Sequence, residues 1–221
     1  MNEYYKIKDD CRQYLIKYLE NAITAIPKEG NYNVLDIGCG TGVPTPFFAE
    51  HFNGSITAID TNEPALTFFQ NKINESNLQN RIEIRNVNFF DFRADKNSFD
   101  IILAEGFLNV VGFEKGFAKV IELLKPGGYF IIHDEFKDHE KKTGLITQQN
   151  CTIIDLFYLD ESIWWNNYYN ALDTHIKRIS NSELRACFKS DISEIEYFKT
   201  NPEAFRSVYY IVKWQDEKEY E

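Results

Sequence analysis

The run Val34-Leu35-Asp36-Ile37-Gly38-Cys39-Gly40-Thr41-Gly42 constrains this chain more than any other stretch. A short apolar strand passes directly into three glycines at alternate positions. Glycine takes positive φ without steric cost and lets a ligand lie on the peptide plane. The turn therefore belongs at the carboxyl end of a buried strand, where open α/β sheets bind nucleotide-like ligands. Its spacing narrows the ligand. A dinucleotide fingerprint is G-x-G-x-x-G, with a pyrophosphate on the next helix N-terminus. Here the frame is G-x-G-x-G, and Val43 stands three residues after Gly40. No Gly-Lys-Ser/Thr follows, so a Walker loop is excluded as well. Asp36 puts a carboxylate just before the turn, which disfavours a phosphate and suits a ligand carrying positive charge.

Strands and helical segments alternate on either side of this turn. Residues 33–37, 55–59, 81–87, 99–104 and 129–133 read as strands, with helices over 45–52, 63–74 and 113–124. Such alternation implies crossover connections and a parallel sheet. Residues 10–26 have apolar side chains at helical spacing, with Asp9 or Asp10 as a cap and Pro27 as a stop. That helix is expected to cover one face of the sheet, with closure over a ligand as its second role. Residues 147–177 read as helical with a break near Asp160, and 181–188 as a further short helix. Residues 193–198 and 205–214 read as two strands joined by a turn containing Pro202.

The glycine run resembles motif I of the class I S-adenosylmethionine-dependent methyltransferases. Lys125-Pro126-Gly127-Gly128-Tyr129, a helix stop and turn before the fifth strand, is also similar to that family. The resemblance implies an α/β, Rossmann-like fold: a mostly parallel seven-stranded sheet with helices on both faces and a C-terminal antiparallel hairpin. It implies one domain over residues 1–221, with an N-terminal helix (1–30), a cofactor-binding core (31–134), a helical acceptor-side elaboration (135–190) and closing strands (191–221). The implied cofactor is S-adenosylmethionine, a cationic sulfonium whose amino-acid and ribose parts lie on the turn formed by Asp36, Gly38, Gly40 and Gly42.

Further cofactor positions follow from the same resemblance. Asp60 ends the second strand, where a carboxylate can accept both ribose hydroxyls; Asn62 stands beside it, and either residue can also cap the next helix. After the third strand, the position that reads the adenine amine falls on Asn88 rather than on an acid. An Asn oxygen still accepts an amine hydrogen, Phe89 would pack on the ring, and Asp91 is the rival if the loop is shifted. Glu105 ends the fourth strand, beside the sulfonium and the acceptor. The motif N-P-P-Y is absent, which argues against adenine-N6 or glutamine-amide methylation.

Methyl transfer from a sulfonium is an in-line displacement with an activated leaving group, so alignment supplies much of the rate and a catalytic triad is not expected. Glu105 and His133 are the candidates for bordering the acceptor; Asp134, Glu135 and His175 are further base candidates. Trp164, Trp165, Tyr168 and Tyr169 form an aromatic stripe at helical spacing, either core or a lid over the acceptor.

Bulk properties bound the partners. With 24 basic against 34 acidic residues the net charge is −10, and no Lys/Arg cluster offers a phosphate-neutralising face. Nucleic acid is not an expected partner. Four scattered cysteines form no C-x-x-C pair, so no metal site is expected. No run approaches the roughly 20 apolar residues of a membrane span, and the charged N-terminus lacks a signal-peptide core. The expectation is a cytoplasmic enzyme acting on a small-molecule acceptor. Methylation of a protein or RNA target, or a non-catalytic cofactor-binding relative, stands as the alternative. No residue pattern sets the oligomeric state, a homodimer included.

Overall fold

The computed structural model describes residues 1–215. Seven strands, β1 (Asn31–Ile37), β2 (Asn53–Asp60), β3 (Ile82–Asn86), β4 (Phe99–Glu105), β5 (Leu124–Glu135), β6 (Cys151–Leu159) and β7 (Ser207–Trp214), form one sheet in the order β3-β2-β1-β4-β5-β7-β6. The first five run parallel, and β7 is antiparallel to both β5 and β6. Strand order reverses between β1 and β4, which opens a crevice at their carboxyl ends.

Both faces of the sheet are covered, so its central strands are apolar on both sides. Leu35, Ile37, Ile102, Phe130 and Ile132 face one core. Val34, Ile56, Ile101, Leu103 and Ile131 face the other. Burial of each such side chain is worth about 1.5–3 kcal/mol as an upper estimate. The Lys125-Pro126-Gly127-Gly128 segment is an excursion within the β4–β5 ladder: Phe99 pairs with Leu124, and pairing resumes at Ile101 and Tyr129.

The N-terminal segment is two helices, where sequence periodicity predicts one. α1 (Asn2–Arg12) passes through a 3₁₀ turn (Gln13–Leu15) into α2 (Ile16–Ile23). The bend divides the two expected roles. α2 packs Leu19, Ala22 and Ile23 onto the sheet, whereas α1 lies against the glycine turn. Asp9 does not cap this helix. It is buried within α1, accepts from the Thr41 hydroxyl at 2.5 Å, and pairs with Lys72 at 2.7 Å. Lys72, on α4 (Glu63–Glu75), also donates to the carbonyls of Thr41 and Gly42. One half-buried ion pair thus ties the roof helix to the turn. α3 (Pro44–His51) follows the turn directly, and α5 (Leu108–Val111), α6 (Phe113–Leu123) and α7 (His139–Gln148) complete the parallel half of the fold.

The C-terminal third departs from expectation in two places. Residues 151–159, expected to be helical, form β6, the edge strand beside β7. A register irregularity between Ile153 and Asp155 interrupts the period-two pattern that would otherwise mark Thr152, Ile153 and Phe157 as strand residues. Residues 193–198, expected to be a strand, lie inside α11 (Lys189–Thr200), after α8 (Glu161–Trp164), α9 (Asn170–Arg178) and α10 (Ser182–Cys187). Asp191, Ile195 and Phe198 are its buried positions, and their helical spacing prevails over the local alternation of Ile195 and Tyr197. The antiparallel pair that closes the sheet is therefore β6 and β7, with helices α8 to α11 inserted between them. Those helices and α1 share a third core built on Cys11, Tyr168, Leu172, Phe188 and Phe198, set apart from the sheet.

Candidate functional site

A cavity of about 680 Å³ opens at the carboxyl ends of β1, β4 and β5 and the amino end of β7. Its floor is a single pleated row. Glu105 pairs in register with His133, His133 with Tyr209, and Tyr209 with Phe157, so these four side chains share one face of the sheet. Further down those strands the same face is apolar (Leu103, Ile131 and Ile211), and at the last positions it becomes polar or aromatic. The Gly38-Cys39-Gly40 turn and Asp36 form one wall. α1, α2 and the 161–205 insertion supply the roof, with Arg12, Trp164, Tyr168 and Tyr169 among its lining residues. Trp165 points elsewhere, stacking on Phe198 with centroids 5.8 Å apart. The aromatic stripe is thus shared between cavity and outer core. A π-helical turn over Trp165–Tyr169 brings the adjacent Tyr168 and Tyr169 to the same cavity.

The floor is tightly hydrogen-bonded. Tyr209 donates its hydroxyl to Glu105. Its ring stacks on His133 at 4.2 Å and 3°, and Trp164 lies beyond His133 at 5.7 Å and 7°. The Ser207 hydroxyl joins Trp164 Nε1 at 3.1 Å and His133 Nε2 at 2.9 Å. Burial between two rings depresses the His133 pKa to about 3, so the imidazole is neutral at physiological pH. Burial raises the Glu105 pKa, opposed by the Tyr209 hydrogen bond and the Arg12 charge. Burial likewise raises Asp36 to about 7, although its Oδ2 accepts from Thr45 at 2.6 Å; the charges of Glu105 and Asp60 raise it further. Among the described residues neither Asp36 nor Glu105 has an ion-pair partner. A buried acid and a half-buried one, neither with a cation within 4.0 Å and both lining one cavity, make it a site for a positively charged ligand.

A family model described as a methyltransferase domain matches residues 28–176. The chain belongs to that family. The sheet order and the glycine turn have the form that the resemblance to the class I type implied. Among curated relatives, the methyltransferase domain is 28% identical over 116 residues to a demethylmenaquinone methyltransferase of Listeria welshimeri, covering 51% of this chain and 49% of that protein. The chain spans less than half the length of the first curated relatives it matches. Solved structures share the fold at low identity. A Thiobacillus denitrificans S-adenosylmethionine-dependent methyltransferase bound to S-adenosylhomocysteine has a TM-score of 0.72 at 14% identity, covering 90% of this chain and 91% of that one. The [4+2]-cyclase SpnF has a TM-score of 0.76 at 16% identity, covering 90% of this chain and 80% of that one.

The expected cofactor residues of this methyltransferase domain divide into two groups. Asp36, Gly38, Gly40 and Glu105 line the cavity together with His133. Gly40 has φ +52°, and a Cβ there would meet open space, so the backbone is left bare for a ligand. Asp60 lies outside the cavity wall but is held to it. Its Oδ2 accepts from Gly40 N and its Oδ1 from Asn62 N, both at 2.8 Å, leaving further lone pairs for hydroxyl donors. Asn62 caps α4, accepting from Ala65 N at 3.2 Å, and receives the Tyr5 hydroxyl at 3.4 Å. Gly42 has φ +66° and faces the ring of Phe69, so its role is close packing of α4 on the turn. Asn88 is exposed, with its Oδ1 taken by Phe90 N at 2.9 Å in a local turn; Asp91 is exposed as well. Phe89 is buried edge-on to Phe107, whose ring in turn covers Gly38.

Of the other base candidates, His175 lies outside this cavity, beside Tyr14 and Asn170. The Asp134 carboxylate is buried against Lys142 at 2.9 Å, and Glu135 accepts from Asn109 at 3.2 Å. Sequence reasoning missed Arg12, Ser207 and Tyr209. The two β7 residues were within reach: they alternate on one strand, and antiparallel pairing with β5 sets them beside Glu135 and His133.

Proposed function

We propose that this chain transfers a methyl group from S-adenosylmethionine to a small-molecule acceptor held over the Glu105–His133–Tyr209 row. The observation that carries this reading is the shared cavity: the bare Gly40 backbone and two acids without an ion-pair partner, Asp36 and Glu105, beside a roofed aromatic chamber. When bound, the cofactor supplies a methyl group on a positively charged sulfur that is already a good leaving group. Asp36 and Glu105 favour that positive charge, and Asp60 offers acceptors to ribose hydroxyls. The roof excludes water and holds the acceptor in line, where orientation is worth effective molarities of about 10⁵–10⁸ M. Asn88 and Phe89 would meet adenine after a shift of the 88–91 loop.

Glu105 is the stronger candidate to take a proton from the acceptor. Its carboxylate keeps free lone pairs at the cavity floor, whereas His133 is a weak base clamped between rings. The roof of α1 and the 161–205 insertion supports a small acceptor over a macromolecular one, since the chamber is covered. The demethylmenaquinone relative is named for a small-molecule acceptor. Four free cysteines, one of them within the glycine turn, fit work in the cytoplasm.

The fold also carries SpnF, named a cyclase, so the donor is tested first. Calorimetry with S-adenosylhomocysteine is expected to give saturable one-site binding; absence of binding refutes the reading. A screen of a metabolite mixture with methyl-labelled donor then identifies the acceptor. Alanine at Glu105 is expected to lower turnover while sparing affinity for S-adenosylhomocysteine, which lacks the sulfonium charge.

A further inference from the structure

The charges around the chamber are arranged asymmetrically. On the glycine-turn side the unpaired groups are acids. On the roof and rim they are cations. Arg12 ends α1 and lies against the Tyr168 phenol. Lys137 follows β5, and Arg206 precedes β7, with the two segments joined by Phe136 N donating to Arg206 O at 2.9 Å. The Arg206 guanidinium sits over the Phe136 ring at 4.8 Å. Among the described residues none of these three cations has a carboxylate within 4.0 Å. Lys8, the fourth cation of the wall, is already neutralised by Asp191 at 2.7 Å.

The roof and rim carboxylates are engaged by neutral donors, and the charges of Glu194 and Asp160 reach Arg12 and Arg206 only from beyond 4.0 Å. Glu194 accepts from Tyr169 and Glu135 from Asn109. Arg12 lowers the Glu105 pKa through its field, and both residues line the chamber. In a chain of net charge −10, three cations without a carboxylate within 4.0 Å line one cavity and offer a local site for an anion. Guanidinium forks match carboxylate and phosphate oxygens in pairs.

We infer that the acceptor is an organic anion, a carboxylate or a phosphate monoester with a flat apolar body, whose charged end is held by Arg12, Lys137 and Arg206. The apolar body lies along the Trp164–His133 stack, and the atom to be methylated points at Glu105. Arg12 and Glu105 then face opposite ends of one acceptor. This rests on the methyl-transfer reading above.

The test uses full-length protein saturated with S-adenosylhomocysteine, so that failure of cofactor binding is seen separately as failure of the underlying reading. Benzoate, phenyl phosphate and benzamide are titrated, with binding followed by Trp fluorescence and saturation-transfer NMR. One of the two anions is expected to bind at least about tenfold tighter than the neutral amide, the order expected of a charge-assisted pair, and which one identifies the anion class. Arg12→Gln is expected to abolish that preference and Arg12→Lys to retain part of it. Lys137→Gln with Arg206→Gln is expected to weaken both anions. Equal behaviour of the three probes, including no binding by any, overturns the inference. So does an Arg12→Gln variant that loses cofactor affinity while keeping its preference for the anion, because Arg12 would then serve the donor.

Discussion

Tyr209 donates its phenolic hydrogen to Glu105 from two strands away, across the face of the intervening His133 ring. The bond joins the antiparallel closing strand to the end of β4 and holds a half-buried carboxylate at the cavity floor. Removing the hydroxyl leaves Glu105 without that donor, and a buried acceptor stripped of its partner costs about 1–3 kcal/mol. Tyr209→Phe is therefore expected to lower stability by that amount, measured by urea denaturation, with the His133 stack retained. It should also lower methyl transfer about tenfold, with cofactor affinity changed no more than about twofold. Unchanged turnover would remove Glu105 from the chemistry.

His133 is expected to stay neutral across the physiological range. Its folded pKa, depressed to about 3 by burial, lies below the unfolded value. The unfolded state therefore binds more protons between about pH 6.5 and 3. The stability this ring contributes is complete above pH 6.5 and is lost as pH falls toward 3. Proton NMR of the imidazole should show no titration between pH 5 and 8. An inflection near 6.5 assigned to His133 would contradict the clamped geometry.

Asp36 works in the opposite sense. Burial lifts its folded pKa from 3.8 to about 7. The folded state then binds more protons than the unfolded one over that window, and stability falls as pH rises through it. Asp36→Asn should flatten this part of the stability profile. A ligand with a positively charged amine prefers the ionised form, so S-adenosylhomocysteine should bind more tightly at pH 8 than at pH 6, by up to about tenfold. Calorimetry at the two pH values should show the gain in the wild type and lose much of it in Asp36→Asn. A flat wild-type profile would mean that Asp36 does not face the ligand.

The parallel half of this fold was legible in the sequence because its signals are local. Buried strands are continuous apolar runs, and Asp36, Gly38, Gly40 and Glu105 stand at strand ends, where register alone brings them to one crevice. The C-terminal third was not, because its signals are non-local. β6 is an irregular edge strand whose pairing with β7 spans the inserted helices, so neither strand identifies the other by proximity. The roof was hidden for a similar reason. Asp9 reads as a helix cap until Lys72 and Thr41 are brought beside it. Arg12 carries no local mark of the chamber that α1 roofs.

Gly40 and Gly42 separate ligand binding from folding within one turn. Both have positive φ, and an L side chain in that region costs roughly 1–2 kcal/mol. At Gly42 an added methyl group also overlaps the Phe69 ring, which is fully buried between α4 and the sheet. Overpacking there adds about 1–3 kcal/mol, so Gly42→Ala should be the more destabilised variant, by several kcal/mol in total. At Gly40 the methyl group meets nothing in the protein and enters the space reserved for the ligand. Gly40→Ala should therefore fold with only the backbone penalty and lose at least about tenfold in S-adenosylhomocysteine affinity. Thermal melts and calorimetry on the two variants read the two effects independently. If Gly40→Ala binds like the wild type, the cofactor does not rest on this turn, and Asp36 and Glu105 serve some other cation.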